Sequence, residues 1–347
     1  MTISAAHRRD TTPAPLPSPT GHPASPPSAS SSRSSAARPH TPAPLPQPSA
    51  QHDAALVAFA RTAVASLAAG ARDATVRAKL DAVRDAYAGP YRVGEQTVSA
   101  RPMFRINMGH NHAAMKSHAK ELDGIAARVG VNGYGVRMGF AGAGDLRKVT
   151  QALIDRGHLP PGPPGTEAER VRQMQWEWGV GVDCAAYTGA ALTAATGKSR
   201  HALGLAPAGM EAFRNLDKNR HFSKVSPVDV RTGDVITLDA VNDYGHNVIV
   251  RGRSVADPAK QAALTQAHPE LGAFFASAGP HHVIEVDSSW GAGSDGASYG
   301  GFRTDTWIYD ESTKKWASFD RHVDPIGVNI SFAGPAGDIF HGAYRAK

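Results

Sequence analysis

Cys184 is the only cysteine of this 347-residue chain, and its setting is suited to nucleophilic chemistry. It follows a Gly-Val-Gly-Val-Asp turn and opens an alanine-rich run that predicts a helix. A thiol in the first turn of a helix lies at the positive end of the helix dipole, beside backbone N–H groups without helical partners. Both features favour the thiolate, the nucleophilic form of cysteine. The alternative is a small buried hydrophobe, as most lone cysteines are.

A cysteine nucleophile needs a base, and His246 is the candidate. It opens the apolar strand HNVIV, downstream of Gly233-Asp234. Along a strand His246, Val248 and Val250 share one face, and the valines predict that this face turns toward the cysteine helix and the core. The imidazole would then take the proton of the thiol. A half-buried histidine with a purely structural role is the alternative.

A third polar residue would orient the imidazole, and strand His281–Ser289 offers three candidates. Asp287 is favoured, because a carboxylate stabilises an imidazolium better than a hydroxyl does. Alternation along the strand argues for Ser288, which shares a face with the apolar residues, whereas Glu285 and Asp287 lie on the other face. A bulge at the strand end would reconcile Asp287 with this pattern. Asp287 is therefore the predicted third member, with Ser288 and Glu285 as alternatives.

The surrounding elements predict two regions. Residues 166–347 read as one helix followed by antiparallel strands, an α+β domain. Residues 51–160 predict a helical subdomain, with two amphipathic helices between Asp53 and Tyr87 that are interrupted at Gly70. A long helix is also expected over Ala259–Phe275, and the last strand near Val328–Phe332. The Pro- and Gly-rich stretch Leu159–Gly165 predicts a boundary between the two regions.

The first fifty residues have a different composition from the rest. They hold twelve of the 25 prolines and ten serines but only one acidic residue, Asp10. The octapeptide TPAPLPSP at Thr12–Pro19 recurs nearly unchanged as TPAPLPQP at Thr41–Pro48. Such a segment buries too little apolar surface to offset its ordering entropy, which predicts a disordered leader over residues 1–50. A flexible spacer is preferred over a ligand for proline-binding domains.

Composition also excludes several classes of protein. The net charge of +6 is modest and no Lys/Arg run occurs, so a nucleic-acid partner is not expected. No apolar run approaches the length of a membrane span, and the N-terminus has no apolar core of a Sec signal peptide. His110, His112 and His118 lack the spacing of a zinc motif, so we predict no metal and no cofactor.

Three segments together resemble a known family. GVDCAAYTGAAL is similar to the nucleophile helix of the NlpC-type bacterial papain-like peptidases. RTGDVITL resembles their Pro-Gly-Asp strand entry, with Thr232 in place of the proline, and GHNVIV resembles their His-Val-Gly-Ile strand. The order of the segments is also that of the family, and the resemblance covers about residues 170–310. Ala185-Ala186 stand where the family has Ser-Gly, and Asn247 stands where it has valine.

The resemblance implies a papain-like fold and thiolate–imidazole catalysis. Cys184 would be the nucleophile, His246 the base and a polar residue of His281–Ser289 the orienting residue, with Asp183, Trp178 and Ser288 as substrate-contacting candidates. Asp183 is also expected to cap the cysteine helix. The activity implied is hydrolysis of an amide bond in a peptide or in a peptidoglycan stem peptide; an acyltransferase, a deamidase and a non-enzymatic binding module are the alternatives.

The leader suits an exported protein. A Ser/Pro-rich, acid-poor leader is compatible with secretion by a non-Sec route, as for an effector acting on a protein, or with residence in the bacterial cytoplasm before export. A secretion chaperone is then a candidate partner.

Overall fold

A computed structural model describes residues 50–104, 112–205, 211–239, 245–290, 300–320, 327–331 and 339–347. Residues Val57–Lys347 form one compact unit. Of the other unit, Met1–Leu56, the described part is the beginning of the first helix, so the predicted disordered leader lies outside the described residues.

The described elements are helices and two antiparallel sheets. The helices are α1 Ala50–Ala88, α2 His112–Arg128, α3 Gly133–Arg137, α4 Ala143–Asp155, α5 Glu167–Trp178, α6 Cys184–Thr196, α7 Glu211–Arg214, α8 Pro258–Ala267 and α9 Leu271–Phe275. The strands are β1 Tyr91–Val93, β2 Gln96–Val98, β3 Phe222–Val225, β4 Val235–Asp239, β5 His246–Val255, β6 His281–Trp290, β7 Gly301–Asp310, β8 Trp316–Asp320, β9 Gly327–Ser331 and β10 Ile339–Ala346. The predicted α+β class with an antiparallel sheet is confirmed.

The main sheet is open and has eight strands in the order β3-β10-β4-β5-β6-β7-β8-β9. Strands β4 to β9 follow one another as neighbours, which is the arrangement that hairpin connections produce. The chain then returns, and β10 inserts between β3 and β4. This last strand was not predicted, because its place depends on pairing with segments about a hundred residues earlier.

The sheet has a different hydrophobic core on each face. On one face the helices pack, and residues of α1, α2, α4, α5 and α6 share a cluster with Ile249 of β5. On the other face Val248 and Val250 pack among aromatic and aliphatic residues of the sheet itself: Ile236, Leu238, Ile284, Val286, Trp290, Trp307, Tyr309 and Trp316. Alternation along β5 therefore separates the two cores.

The predicted helical subdomain and the predicted α+β domain do not have separate hydrophobic cores. Leu80, Leu122 and Leu153, from the predicted subdomain, lie in the same cluster as Tyr187 and Ile249 of the predicted domain. Leu159–Gly165 is a connection, as predicted, but it does not divide two hydrophobic cores.

Two helix predictions are wrong in detail. Helix α1 runs without interruption through Gly70, because one exposed glycine costs a helix only about 1 kcal/mol. The helix predicted over Ala259–Phe275 is two helices, α8 and α9, which are separated around Pro269. Proline lacks the N–H that a continuous helix would need at this position.

Candidate active site

Cys184 is the first residue of α6, and Asp183 caps the helix. The Asp183 carboxylate accepts a hydrogen bond from the Ala186 N–H at 2.5 Å, so the predicted capping role is confirmed. Asp183 is 5% exposed, and burial raises its pKa to about 7, while the Ala186 N–H and the charge of Arg200 act to lower it. The cap is therefore a buried carboxyl group that sits directly beside the thiol.

Three separate segments hold the turn before Cys184. The Val182 N–H donates to the Met103 carbonyl at 3.1 Å, and the Asp183 N–H donates to the Gly139 carbonyl at 3.0 Å. From the sheet, the Ser289 hydroxyl donates to the Val182 carbonyl at 2.8 Å. The cysteine turn is thus fixed from both sides before the helix begins.

The groups around the Cys184 thiol act on its pKa in both directions. Cys184 is 3% exposed, and burial raises its pKa, with the negative charge of Asp183 acting in the same direction. The backbone N–H groups of Asn247, Ala185 and Cys184 itself act to lower it. The expected effect of the helix terminus is present, but the prediction of a lowered thiol pKa is wrong for the thiol on its own, because burial outweighs that effect.

Strands β5 and β6 stop pairing close to this thiol. Their ladder runs as far as Ile249 opposite Asp287. Beyond that pair, side chains bind the main chain of β5. The Asn247 carbonyl accepts hydrogen bonds from the hydroxyls of Ser288 at 2.6 Å and Thr188 at 3.2 Å. The N–H of Asn247 approaches the thiol. Cys184 therefore lies where β5 and β6 separate.

His246 is the first residue of β5 and directly precedes Asn247. It is 8% exposed, and its ring centroid lies 4.0 Å from that of Trp290, with the two planes tilted by 34°. The prediction that the face of Val248 and Val250 turns toward the cysteine helix is wrong. Helix α6 covers the opposite face, that of Ile249, because its small side chains allow a close approach there while the sheet's tryptophans cover the valines.

Asp287 is not placed beside His246. Its carboxylate is 1% exposed and accepts hydrogen bonds from Arg251 at 2.7 Å, Arg84 at 3.3 Å and the hydroxyls of Tyr187 at 3.1 Å and Thr304 at 2.6 Å. It lies opposite Ile249, on the helix-covered face, so no bulge is needed to bring it to that side. Asp287 connects α1, α6 and the sheet.

The remaining predicted site residues have structural contacts. Glu285 pairs with Arg77 of α1 at 3.0 Å. Ser288 is fully buried and binds the Asn247 carbonyl, so it supports β5 and is shielded from any substrate. Trp178 is 5% exposed, and its ring packs against those of His118 and His158, with centroids 4.3 and 4.4 Å away.

Asp234 also lies away from the thiol, at the opposite end of β4. Its carboxylate is 1% exposed and accepts from the Arg231 N–H at 2.9 Å and from Arg345 of β10 at 2.8 Å. The Gly-Asp pair thus secures the turn into β4.

Sequence reasoning missed Trp290 and Thr188. Trp290 was the residue directly after the strand proposed to orient His246, and Thr188 lies one helical turn after Cys184. The missing information was the pairing of β5 with β6, which ends at Ile249 and Asp287 and leaves Trp290 to pack on His246.

The described residues hold no group of three or more His, Cys, Asp or Glu side chains arranged for a metal ion. Within that same part of the chain, no helix has the length and apolarity to cross a membrane. Comparison of the chain with protein-family models, with curated proteins and with solved structures finds no match.

Proposed function

We propose that this chain is a cysteine-dependent amide-bond hydrolase with Cys184 as nucleophile and His246 as base. The observation that carries the proposal is the contact of the thiol with the N–H of Asn247, the residue next to His246. This contact joins the two segments that a thiol–imidazole pair requires, a helix N-terminus and a strand that starts with histidine.

The chemistry would run in two stages. The His246 imidazole, which packs on Trp290 at the face of Val248 and Val250, has to turn around the strand end to take the proton of Cys184. The thiolate then adds to the carbonyl carbon of the scissile amide. The backbone N–H groups of Cys184, Ala185 and Asn247 are suited to stabilise the oxyanion, because they converge on the thiol. The protonated His246 then gives its proton to the leaving amine, and water, deprotonated by His246, releases the acyl group and restores the thiol.

We propose a pair without an acidic third member. All the carboxylate contacts of Asp287 described above are made with arginines and hydroxyls of other elements. Stacking on Trp290 is what would hold the imidazole plane. An imidazolium that forms during the reaction would lie against the face of an indole, an arrangement that favours a cation.

The proposed substrate class follows from the resemblance. Stem peptides of peptidoglycan and a protein target of an exported effector are the two substrates proposed. An acyltransferase or a deamidase would use the same pair of residues, and would differ in the acceptor of the acyl group or in the loss of a side-chain amide. Export by a non-Sec route, with a chaperone, remains part of the same proposal.

A non-enzymatic binding module is the second candidate, and one observation favours it. The thiol is 3% exposed and its burial raises its pKa, as in a cysteine that serves as a small core residue. In that case the Cys184→Ala variant would keep the whole function of the protein.

Incubation with purified peptidoglycan tests the first candidate. We expect wild type to release peptide fragments that mass analysis identifies, and both Cys184→Ala and His246→Ala to release none. The Asp287→Asn variant, tested where it is folded, should retain release. Fragments that appear equally with Cys184→Ala would contradict the proposed nucleophile; no fragments with any form would direct the search to a protein substrate.

A further inference from the structure

The segment Arg101–Phe104 connects the cysteine turn to the start of β7. Its Met103 carbonyl binds the Val182 N–H at 3.1 Å, and Phe104 forms a parallel bridge with Val182. At its other end the Arg101 guanidinium donates to the Phe302 carbonyl at 2.9 Å. The position of Arg101 relative to the site is therefore set by main-chain contacts at one end of the segment and by its own guanidinium at the other.

The fit between this segment and β7 is close. Gly301 has a φ of +110°, and a Cβ on it would lie 2.1 Å from the Pro102 carbonyl oxygen, so only glycine allows the approach. Arg172 of α5 also links this segment to the start of β7. It donates one hydrogen bond to the Arg101 carbonyl and another to the Gly300 carbonyl at 2.8 Å. The backbone that carries Arg101 is thus fixed by close contacts with α5 and β7.

Arg101 carries a charge that no described carboxylate balances. In the described part of the chain its guanidinium makes no ion pair, whereas Arg303 is paired with Asp305 at 3.0 Å and Arg84 with Asp287 at 3.3 Å. Burial lowers the pKa of Arg101, and the positive charges of Arg303 and Arg84 lower it further. Arg101 nevertheless remains exposed to solvent, so a ligand can reach it.

Arg101 and its neighbours lie next to the proposed active site. Phe302, whose carbonyl holds Arg101, packs against Tyr187 with ring centroids 4.3 Å apart, and Tyr187 lies one turn after Cys184. On the other face of β7, Arg303 lies 4.8 Å over the ring of Trp290, which stacks on His246. Arg101 and Arg303 therefore flank the start of β7 that borders the site, and of these two only Arg303 has a carboxylate partner among the described residues.

We propose that Arg101 binds a carboxylate of the substrate, so that the peptides recognised beside Cys184 carry an acidic residue near the reacting bond. This rests on the proposed function for the identity of the site, but binding itself does not need the thiol. A fixed guanidinium whose charge no carboxylate of the described residues balances is suited to a substrate carboxylate, which it can bind through two parallel hydrogen bonds.

Binding to the inactive Cys184→Ala protein tests the proposal. The probes are two fluorescein-labelled pools of short peptides that are identical except for one central position, which is Asp or Glu in the first pool and Asn or Gln in the second. By fluorescence anisotropy at low salt we expect the acidic pool to bind about tenfold more tightly. Adding Arg101→Gln should abolish this preference, Arg101→Lys should keep part of it, and Arg92→Gln, at an exposed arginine of β1, should leave it unchanged.

Equal binding of the two pools, absence of binding, or a preference that survives Arg101→Gln would overturn the proposal. Urea unfolding of each variant separates loss of binding from loss of folding. If the acidic pool binds as expected but wild type does not cleave it, the carboxylate subsite stands and the hydrolase proposal fails. If it is cleaved as fast as the neutral pool and bound no more tightly, the hydrolase stands and the subsite fails.

Discussion

At the scale of single residues, Asp287 differs most from what the sequence predicted. It was expected to orient His246, yet it binds two arginines and two hydroxyls on the helix-covered face of the sheet. A carboxylate beside a histidine-containing strand has the same appearance in sequence whether it serves catalysis or an ion-pair network. Only the distant arginines, Arg84 in α1 and Arg251 in β5, distinguish the two roles.

Replacement of Asp287 with asparagine should lower stability strongly. Arg251, whose side chain is 11% exposed, would lose its buried carboxylate, and breaking such a pair costs about 3 kcal/mol. Urea unfolding measures the change. The matched control is Glu285→Gln, which breaks the exposed pair with Arg77 and should cost less than about 1 kcal/mol. A stable Asp287→Asn protein that has lost all activity would instead restore Asp287 as the orienting residue.

The Asp183 cap should make stability depend on pH. Burial raises its pKa from the ordinary value of 3.8 to about 7, so between these pH values the folded state retains a proton that the unfolded state has lost. Stability must then fall as pH rises from about 4 to about 7. Asparagine caps helices equally well but does not titrate. The stability of Asp183→Asn relative to wild type, from urea unfolding, should increase across this range; a constant difference would contradict the raised pKa.

At the scale of elements, the approach of α6 to its neighbours depends on small residues. A Cβ on Gly189 would lie 1.6 Å from the Arg200 Nη1, and this guanidinium donates to the Ala185 carbonyl at 3.1 Å, in the first turn after Cys184. Local patterns predicted the helix and its cap from a few adjacent residues. They did not reveal Arg200, because it reaches back across the helix from a loop.

Gly189→Ala should therefore destabilise the protein, although alanine is the better helix former. Displacing Arg200 is expected to cost about 1–3 kcal/mol, more than the gain in helix propensity of about 1 kcal/mol. Gly70→Ala is the control, since a Cβ there meets nothing within 4 Å in α1, and it should stabilise by about 0.5–1 kcal/mol. Thermal unfolding of both variants gives the comparison. Stabilisation by both substitutions would show that Arg200 moves aside without cost.

At the scale of the whole molecule, the two predicted regions share one core. The amphipathic patterns of the helices and the alternation of the strands were correctly read as packing faces, and they predicted the α+β class. These patterns could not reveal which faces meet, because the apolar stripe of a helix shows that one face is buried but does not show which element covers it. The boundary at Leu159–Gly165 was inferred from composition alone, whereas the shared cluster joins Leu80 and Leu122 to Tyr187.

A fragment of residues 166–347 should consequently fail to fold by itself. Removing α1 to α4 would expose the apolar residues of α5 and α6 that share a cluster with them. It would also expose Asp287 and Arg251, whose partners Arg84 and Asp81 lie in α1. We expect a broad, non-cooperative transition in urea followed by circular dichroism, in contrast to a sharp one for residues 57–347. A cooperative transition of the short fragment would show that the helices are an accessory to a self-sufficient domain.

The central claim is that Cys184 and His246 act as a pair. The thiol alone is held un-ionised by burial, so it should react at neutral pH only if the imidazole takes its proton. The direct measurement is the rate of iodoacetamide labelling of Cys184 against pH in wild type and His246→Ala. We predict rapid labelling below pH 7 in wild type and at least about tenfold slower labelling in the variant. Slow labelling that rises only at alkaline pH and is the same in both proteins would contradict the pair.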